Sequence, residues 1–72
     1  MGKNLETFVG FVEEALPGAN FKVRFTINGQ ERTIRCYLSG KMYKNRIYVG
    51  IGDYVSATIE KDYSLGRIVR RN

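Results

Sequence analysis

Seventy-two residues, 43% of them hydrophobic, allow one small core and little beyond it; at this size folding buries only about 60% of the surface the unfolded chain exposes. With one Cys and no His, the chain cannot form an intrachain disulfide, a Cys/His zinc site or a His-based acid–base pair. Twelve Lys and Arg against seven Asp and Glu leave a net charge of +5, which points to a polyanion partner, although many basic small proteins have none.

In chain order, residues 1–4 read as a loose terminus. "LETFVGFVEEAL" (5–16) fits two templates. Leu5, Phe8, Val9, Val12 and Leu16 recur at helical spacing, while Phe8, Val9, Phe11 and Val12 favour a strand. Gly10 weakens a helix, and Pro17–Gly18 then imposes a turn. The residues alone leave helix and strand open.

"FKVRFTINGQERTIRCYL" alternates strictly about Asn28–Gly29, a pair suited to the positive φ that a two-residue hairpin turn requires. Pairing across that turn sets Val23 opposite Ile34 and Phe21 opposite Cys36 on one apolar face. The other face then gathers Lys22, Arg24, Arg35 and Tyr37 into a basic patch with an aromatic in it. Towards the tip, Phe25 faces Arg32 and Ile27 faces Gln30, so the hairpin is expected to run beyond the core. Cys36 reads as a small buried hydrophobe.

"SGKMYKN" (39–45) interrupts the strand pattern. In "RIYVGI" (46–51), Ile47, Val49 and Ile51 alternate with Arg46 and Tyr48, which predicts another strand. Gly52–Asp53 marks a turn, "YVSATIE" alternates with Val55, Ala57 and Ile59 inward, "KDYSLG" reads as a loop, and "RIVRR" as a short final strand or tail. Short strands joined by tight turns predict one small all-β domain over residues 1–72, a closed barrel or sandwich, with a basic strand or tail at 67–72. No apolar run approaches the length of a membrane span, and residues 1–16 lack a signal-peptide layout. A soluble, cytoplasmic protein without membrane contact is expected.

The charge follows the same organisation. Residues 1–19 and 53–66 each sum to −2, residues 20–52 to +6, and residues 67–72 to +3. Gly40–Lys41 alone remains of a phosphate-binding loop: the upstream glycine is missing, Met42 stands where Ser or Thr would hold magnesium, and no long helix can follow. Asp53 and Asp62 are too isolated for a calcium loop. Glu13–Glu14 is the only close carboxylate pair, and adjacent strand residues point to opposite faces. Neither catalysis nor a metal or other cofactor is expected.

Basic residues interleaved with aromatics remain. Lys41, Lys44 and Arg46 bracket Tyr43, and Tyr48 continues the pattern; Arg67, Arg70 and Arg71 repeat the charge at the end. Such residues neutralise phosphates and stack on unpaired bases. Tyr54 and Tyr63 read as half-buried strand residues. For Tyr37 and Tyr48 that role and base stacking both stay open. The residues support a small β-barrel that binds RNA or single-stranded nucleic acid.

"SGKMYKNRI", followed by "GDYVSATI" and "GRIVRR", resembles bacterial-type translation initiation factor 1, and "LPGANFKVRF" resembles that family's L-P-N-x-x-F-x-V segment. The resemblance runs from about Leu5 to Arg71. It implies an OB-fold of the S1-like RNA-binding class: a five-stranded barrel with a short helical turn between strands three and four, and 5–16 as strand one. It also implies binding to the decoding region of the small ribosomal subunit, where the aminoacyl-tRNA site forms, alongside the other initiation factors. The implied contacts are with helical ribosomal RNA and two adenines that leave their stack. Carried onto this chain, the RNA-binding positions are those after Gly40, Lys41 and Lys44, with Arg67, and then Arg46, Arg70 and Arg71. A monomer is expected, in the cytoplasm or, for an organelle-encoded chain, the plastid stroma.

Four departures stand out. Tyr43 replaces a residue often basic in the family, Arg46 and Tyr48 exchange an aromatic–basic order, and Tyr37 matches a common His. The Asn28–Gly29 hairpin is also longer than the family's. Two rival readings remain: a general single-stranded RNA binder or cold-shock-type RNA chaperone, and a protein-interaction module using the hairpin edge with Phe25 and Ile27 exposed.

Overall fold

A computed structural model describes residues 6–72; the terminus at 1–4, expected to be loose, lies outside the described residues. Five strands and one short helix follow in the order β1 (Glu6–Leu16), β2 (Asn20–Ile27), β3 (Gln30–Leu38), α1 (Gly40–Lys44), β4 (Tyr54–Ile59) and β5 (Gly66–Arg71). The strands close into a barrel in the order β1-β2-β3-β5-β4, with only β3–β5 parallel. This is the OB-fold arrangement, with α1 between β3 and β4.

The hairpin has the expected register, with Val23 opposite Ile34 and Phe21 opposite Cys36. Asn28 and Gly29 both take positive φ, 53° and 78°, the backbone twist that suits a two-residue turn between twisted strands. The hairpin does not outrun the core, however. Phe25 and Ile27 are 1% and 3% exposed, which corrects the expectation of an apolar tip in solvent. The cause is closure of the barrel, which turns both residues into the common core; β1 lies beside β2 with Gly10 paired to Phe25, and a Cβ on Gly10 would come within 2.6 Å of the Phe25 ring. Four inward positions on β2 therefore share one continuous core with Val12, Ile34, Cys36, Val55, Ala57, Ile59 and Ile68.

β1 is a strand, and its length lets it pair with β4 through its first half and β2 through its second. Between Val12 and Glu14 the register with β2 shifts by one residue. Such a bulge bends a strand and re-aims its side chains. Here it overrides simple alternation, and Glu13 and Glu14 both reach the outer face, where they meet Arg24 and Lys22.

Residues 46–51 form no strand. Arg46 has a φ of 58°, and its N–H and that of Ile47 donate back to the carbonyls of Tyr43 and Met42. This is a Schellman stop, with an arginine at the left-handed position usually held by glycine. The backbone bonds return to α1 instead of forming a ladder, and of the three apolar residues only Val49 packs on the core. Gly52 and Asp53 then anchor the segment to Val12 by two backbone bonds of 2.9 Å each, and the Asp53 carboxylate accepts from the Gly50 N–H at 2.8 Å.

Met42 on α1, 2% exposed, closes one end of the barrel. Near the hairpin, half-buried Tyr63 packs on the core with the Arg32 guanidinium 4.4 Å above its ring. Cys36 is fully buried, and burial pushes its thiol up to about 12; this is a packing residue, with no thiolate available near neutral pH.

Candidate nucleic-acid interface

The site is built around α1. Ser39 follows β3 and caps the helix, its hydroxyl accepting from the Met42 N–H at 3.2 Å. With Met42 drawn into the barrel, the flanking residues of a five-residue helix must point outward. Tyr43 is 70% exposed and Tyr48 75%. Lys41, Lys44 and Arg46 are exposed beside them, and none of these three cations has an ion-pair partner among the described residues.

Tyr43, Lys44, Arg46 and Tyr48 rim an open groove of about 850 Å³ whose floor includes Phe21, Leu38 and Val49. Next to it, Tyr37, Gly40 and Tyr43 border a recess of about 480 Å³ with Gly18, Ala19 and Leu38. Tyr43, Leu38 and Ala19 line both. Tyr37 also borders a third recess, of about 140 Å³, together with Arg67, its neighbour in the parallel β3–β5 register. Arg35 lies on the same outer face of β3 as Tyr37 and is exposed. Aromatic faces for stacking, an apolar floor and unpaired cations thus lie side by side, the combination used to hold unpaired bases and their phosphates.

The C-terminal arginines reach this end differently. Arg70 and Arg71 extend β5 alongside Ser56 and Val55. The Arg71 guanidinium donates to the Tyr48 carbonyl at 3.0 Å, tying the last strand to the segment that carries Tyr48. Sequence spacing offered no signal for that bond, nor for the floor supplied by Phe21, Leu38 and Val49. Pro17–Gly18 marked the turn beside the second recess, but not its left-handed Ala19, with φ 59°.

Lys22 and Arg24 lie apart from this assembly. The Lys22 ammonium is 3.5 Å from a Glu14 carboxylate oxygen, and the Arg24 guanidinium is 3.1 Å from Glu13. Glu13 also accepts from the Thr33 hydroxyl at 3.5 Å, and Arg24 stands 5.5 Å over the Phe11 ring. Phe11 packs edge-on against Tyr54, which is more exposed than a half-buried strand residue.

Comparison with known proteins places the chain in a family. The chain is 36% identical to translation initiation factor IF-1 of Rickettsia felis over 70 residues, 96% of this chain and 94% of the relative. It is similar to the solution structure of the corresponding translation initiation factor from the Wolbachia endosymbiont of Brugia malayi, with a TM-score of 0.70 and 34% identity over 97% of this chain and 80% of that one. The crystal structure of YjeQ from Thermotoga maritima shares the fold, with a TM-score of 0.71 and 21% identity, over 93% of this chain and 23% of that chain. No family model matches.

Proposed function

The chain belongs to the bacterial translation initiation factor 1 family, and from that premise we propose that it binds the small ribosomal subunit at the decoding, aminoacyl-tRNA site through ribosomal RNA. The reading makes it a noncatalytic, monomeric factor working in the cytoplasm beside the other initiation factors, or in the plastid stroma if an organelle encodes it. The observation that carries it is the exposed rim of Tyr43, Lys44, Arg46 and Tyr48 around an apolar floor. The start of the helix stands open: a Cβ on Gly40 would meet nothing within 4 Å. Lys41 and Lys44 are assigned to RNA phosphates, Tyr43 and Tyr48 to bases, with Tyr37, Arg35, Arg67, Arg70 and Arg71 extending the contact along β3 and β5.

Co-sedimentation with isolated small subunits across a salt series, with unstructured RNA as competitor, tests this. Saturable one-to-one binding that resists the competitor is expected. The Lys41→Ala/Lys44→Ala variant should remain folded, bind subunits more weakly, and lose roughly 1.4 from the slope of log K against log salt. Binding that the competitor removes in proportion to its phosphate would make the chain a general single-stranded RNA binder. An unchanged slope in the double variant would remove the two lysines from the interface.

A further inference from the structure

Seven basic residues lie between positions 20 and 52, yet the barrel presents them unequally. We propose that Glu13 and Glu14 are specificity residues: they cover the charge of Arg24 and Lys22 and so confine RNA binding to the α1 end and the adjoining β3–β5 side. The inference rests on the RNA-binding reading above.

Three independent features of the outer β1–β2 face support it. The bulge after Val12 is the first, because unbroken alternation would turn one of two adjacent carboxylates inward, whereas the shifted register sets both outside. Each carboxylate, secondly, meets its own cation, at 3.1 Å for Glu13 and 3.5 Å for Glu14. Lastly, Glu13 and Arg24 are held from other sides as well, by the Thr33 hydroxyl and the Phe11 ring. Opposite Lys22, the β3 residue is Arg35. Without the two glutamates this face would present Lys22 and Arg24 beside Arg35 and Tyr37, and the stacking and phosphate-binding surface would spread across β2.

The physical consequence concerns counterions. A cation that already faces a carboxylate holds little condensed anion, so an RNA phosphate gains little by arriving and must first displace the glutamate. An unpaired lysine releases its counterion and strengthens binding at low salt. Any single strand would be drawn to an uncovered β2 face, regardless of sequence. Carboxylates placed there act against the wrong partners rather than for the right one.

The test replaces both carboxylates by their isosteres, Glu13→Gln/Glu14→Gln, which retain the shape and a hydrogen-bond acceptor for Thr33. Binding of labelled oligouridylate is read by fluorescence anisotropy across a salt series, beside a Glu31→Gln/Glu60→Gln control that changes net charge equally but touches neither ion pair. The expected result is oligouridylate binding about five- to ten-fold tighter at low salt, with a slope steeper by roughly 1.4. Each single variant should give about half that change in slope, and the control much less. Small-subunit affinity in the presence of competitor should stay within about two-fold, since no residue assigned to the subunit contact is altered. No gain for the Glu13/Glu14 variant, or an equal gain for the control, overturns the proposal. Failure of the unaltered protein to hold subunits against competitor would instead overturn the decoding-site reading, and the oligouridylate comparison would still judge the covering role.

Discussion

Lys22 and Arg24 on the outer face of β2, and Lys41, Lys44 and Arg46 at the α1 end, have the same chemistry and lie within one short stretch of chain. The first pair sits in the middle of a sheet where a neighbouring strand delivers carboxylates at 3.1 and 3.5 Å. The second group sits on a five-residue helix and its exit, held by one buried side chain, one capping hydroxyl and backbone bonds. A strand interior presents a side chain to cross-strand partners, which can then be matched in charge. A helix that stands over a barrel mouth has no such neighbours, and its cations stay free. Charge counted along the sequence treats the two groups alike, and only topology separates them.

The largest test of that comparison removes the side chain on which the α1 end depends. Met42 is 2% exposed and belongs to the core cluster. Met42→Ala is expected to cost about 2–5 kcal/mol in urea-induced unfolding, because it loses transfer energy and leaves a cavity, while Met42→Leu should cost less than about 1.5 kcal/mol. Subunit binding should weaken in the alanine variant even under conditions where it is fully folded, since Tyr43 and Lys44 would lose their platform. A cost below about 1 kcal/mol would mean that α1 is held by its cap and backbone bonds alone.

Much of the barrel was legible because hairpins report themselves locally. Strict alternation and Asn28–Gly29 fixed the β2–β3 register residue by residue, and the inward set Val55, Ala57 and Ile59 followed from the same period. Residues 5–16 were not decidable by pattern, since apolar residues such as Phe8 and Val9 fall on both faces of the strand and the bulge shifts the period after Val12. Its trace was nonetheless present: continuing the inward series Phe8, Gly10 and Val12 lands on Glu14, an unsuitable core residue and hence a sign of a register shift. The alternation in "RIYVGI" misled for the opposite reason. A pattern records side-chain polarity, whereas a strand also needs an unoccupied edge, and β1 already gives its edges to β2 and β4. Phe25 and Ile27 were placed in solvent because a hairpin considered alone has no lid, and the core they join forms only when the other strands close the barrel. Lys41, Tyr43, Lys44 and Tyr48 were legible as interface candidates by composition, but not the groove floor, which three separate segments assemble.

Arg46 sharpens the contrast between the two basic groups from another side. Its left-handed φ of 58° occupies the position after a helix where glycine carries no steric penalty. Arg46→Gly is therefore expected to raise stability by about 0.5–1 kcal/mol, the relief of strain being partly offset by the greater freedom of glycine in the unfolded chain. The same variant should bind small subunits more weakly and with a shallower salt slope. Stability and binding moving in opposite directions would show that the arginine is kept at a conformational cost for its charge. A loss of stability would mean that contacts of its side chain outweigh the backbone strain, and Arg46 would then be a structural residue.

The smallest expected effect concerns the paired face. In double-mutant cycles with alanine, coupling between Glu14 and Lys22, both half exposed, should contribute about 0.2–0.5 kcal/mol to folding. Glu13 and Arg24 are more enclosed and share Thr33 and Phe11, so their coupling should be larger, up to about 1 kcal/mol. Small couplings leave the barrel standing without the pairs, so the carboxylates must then be judged by what they do to a ligand. A coupling above about 2 kcal/mol for either pair would break the comparison: that glutamate would be fastening β1 to β2 across the bulge, and the neutral β2 face would follow from how the barrel is held together.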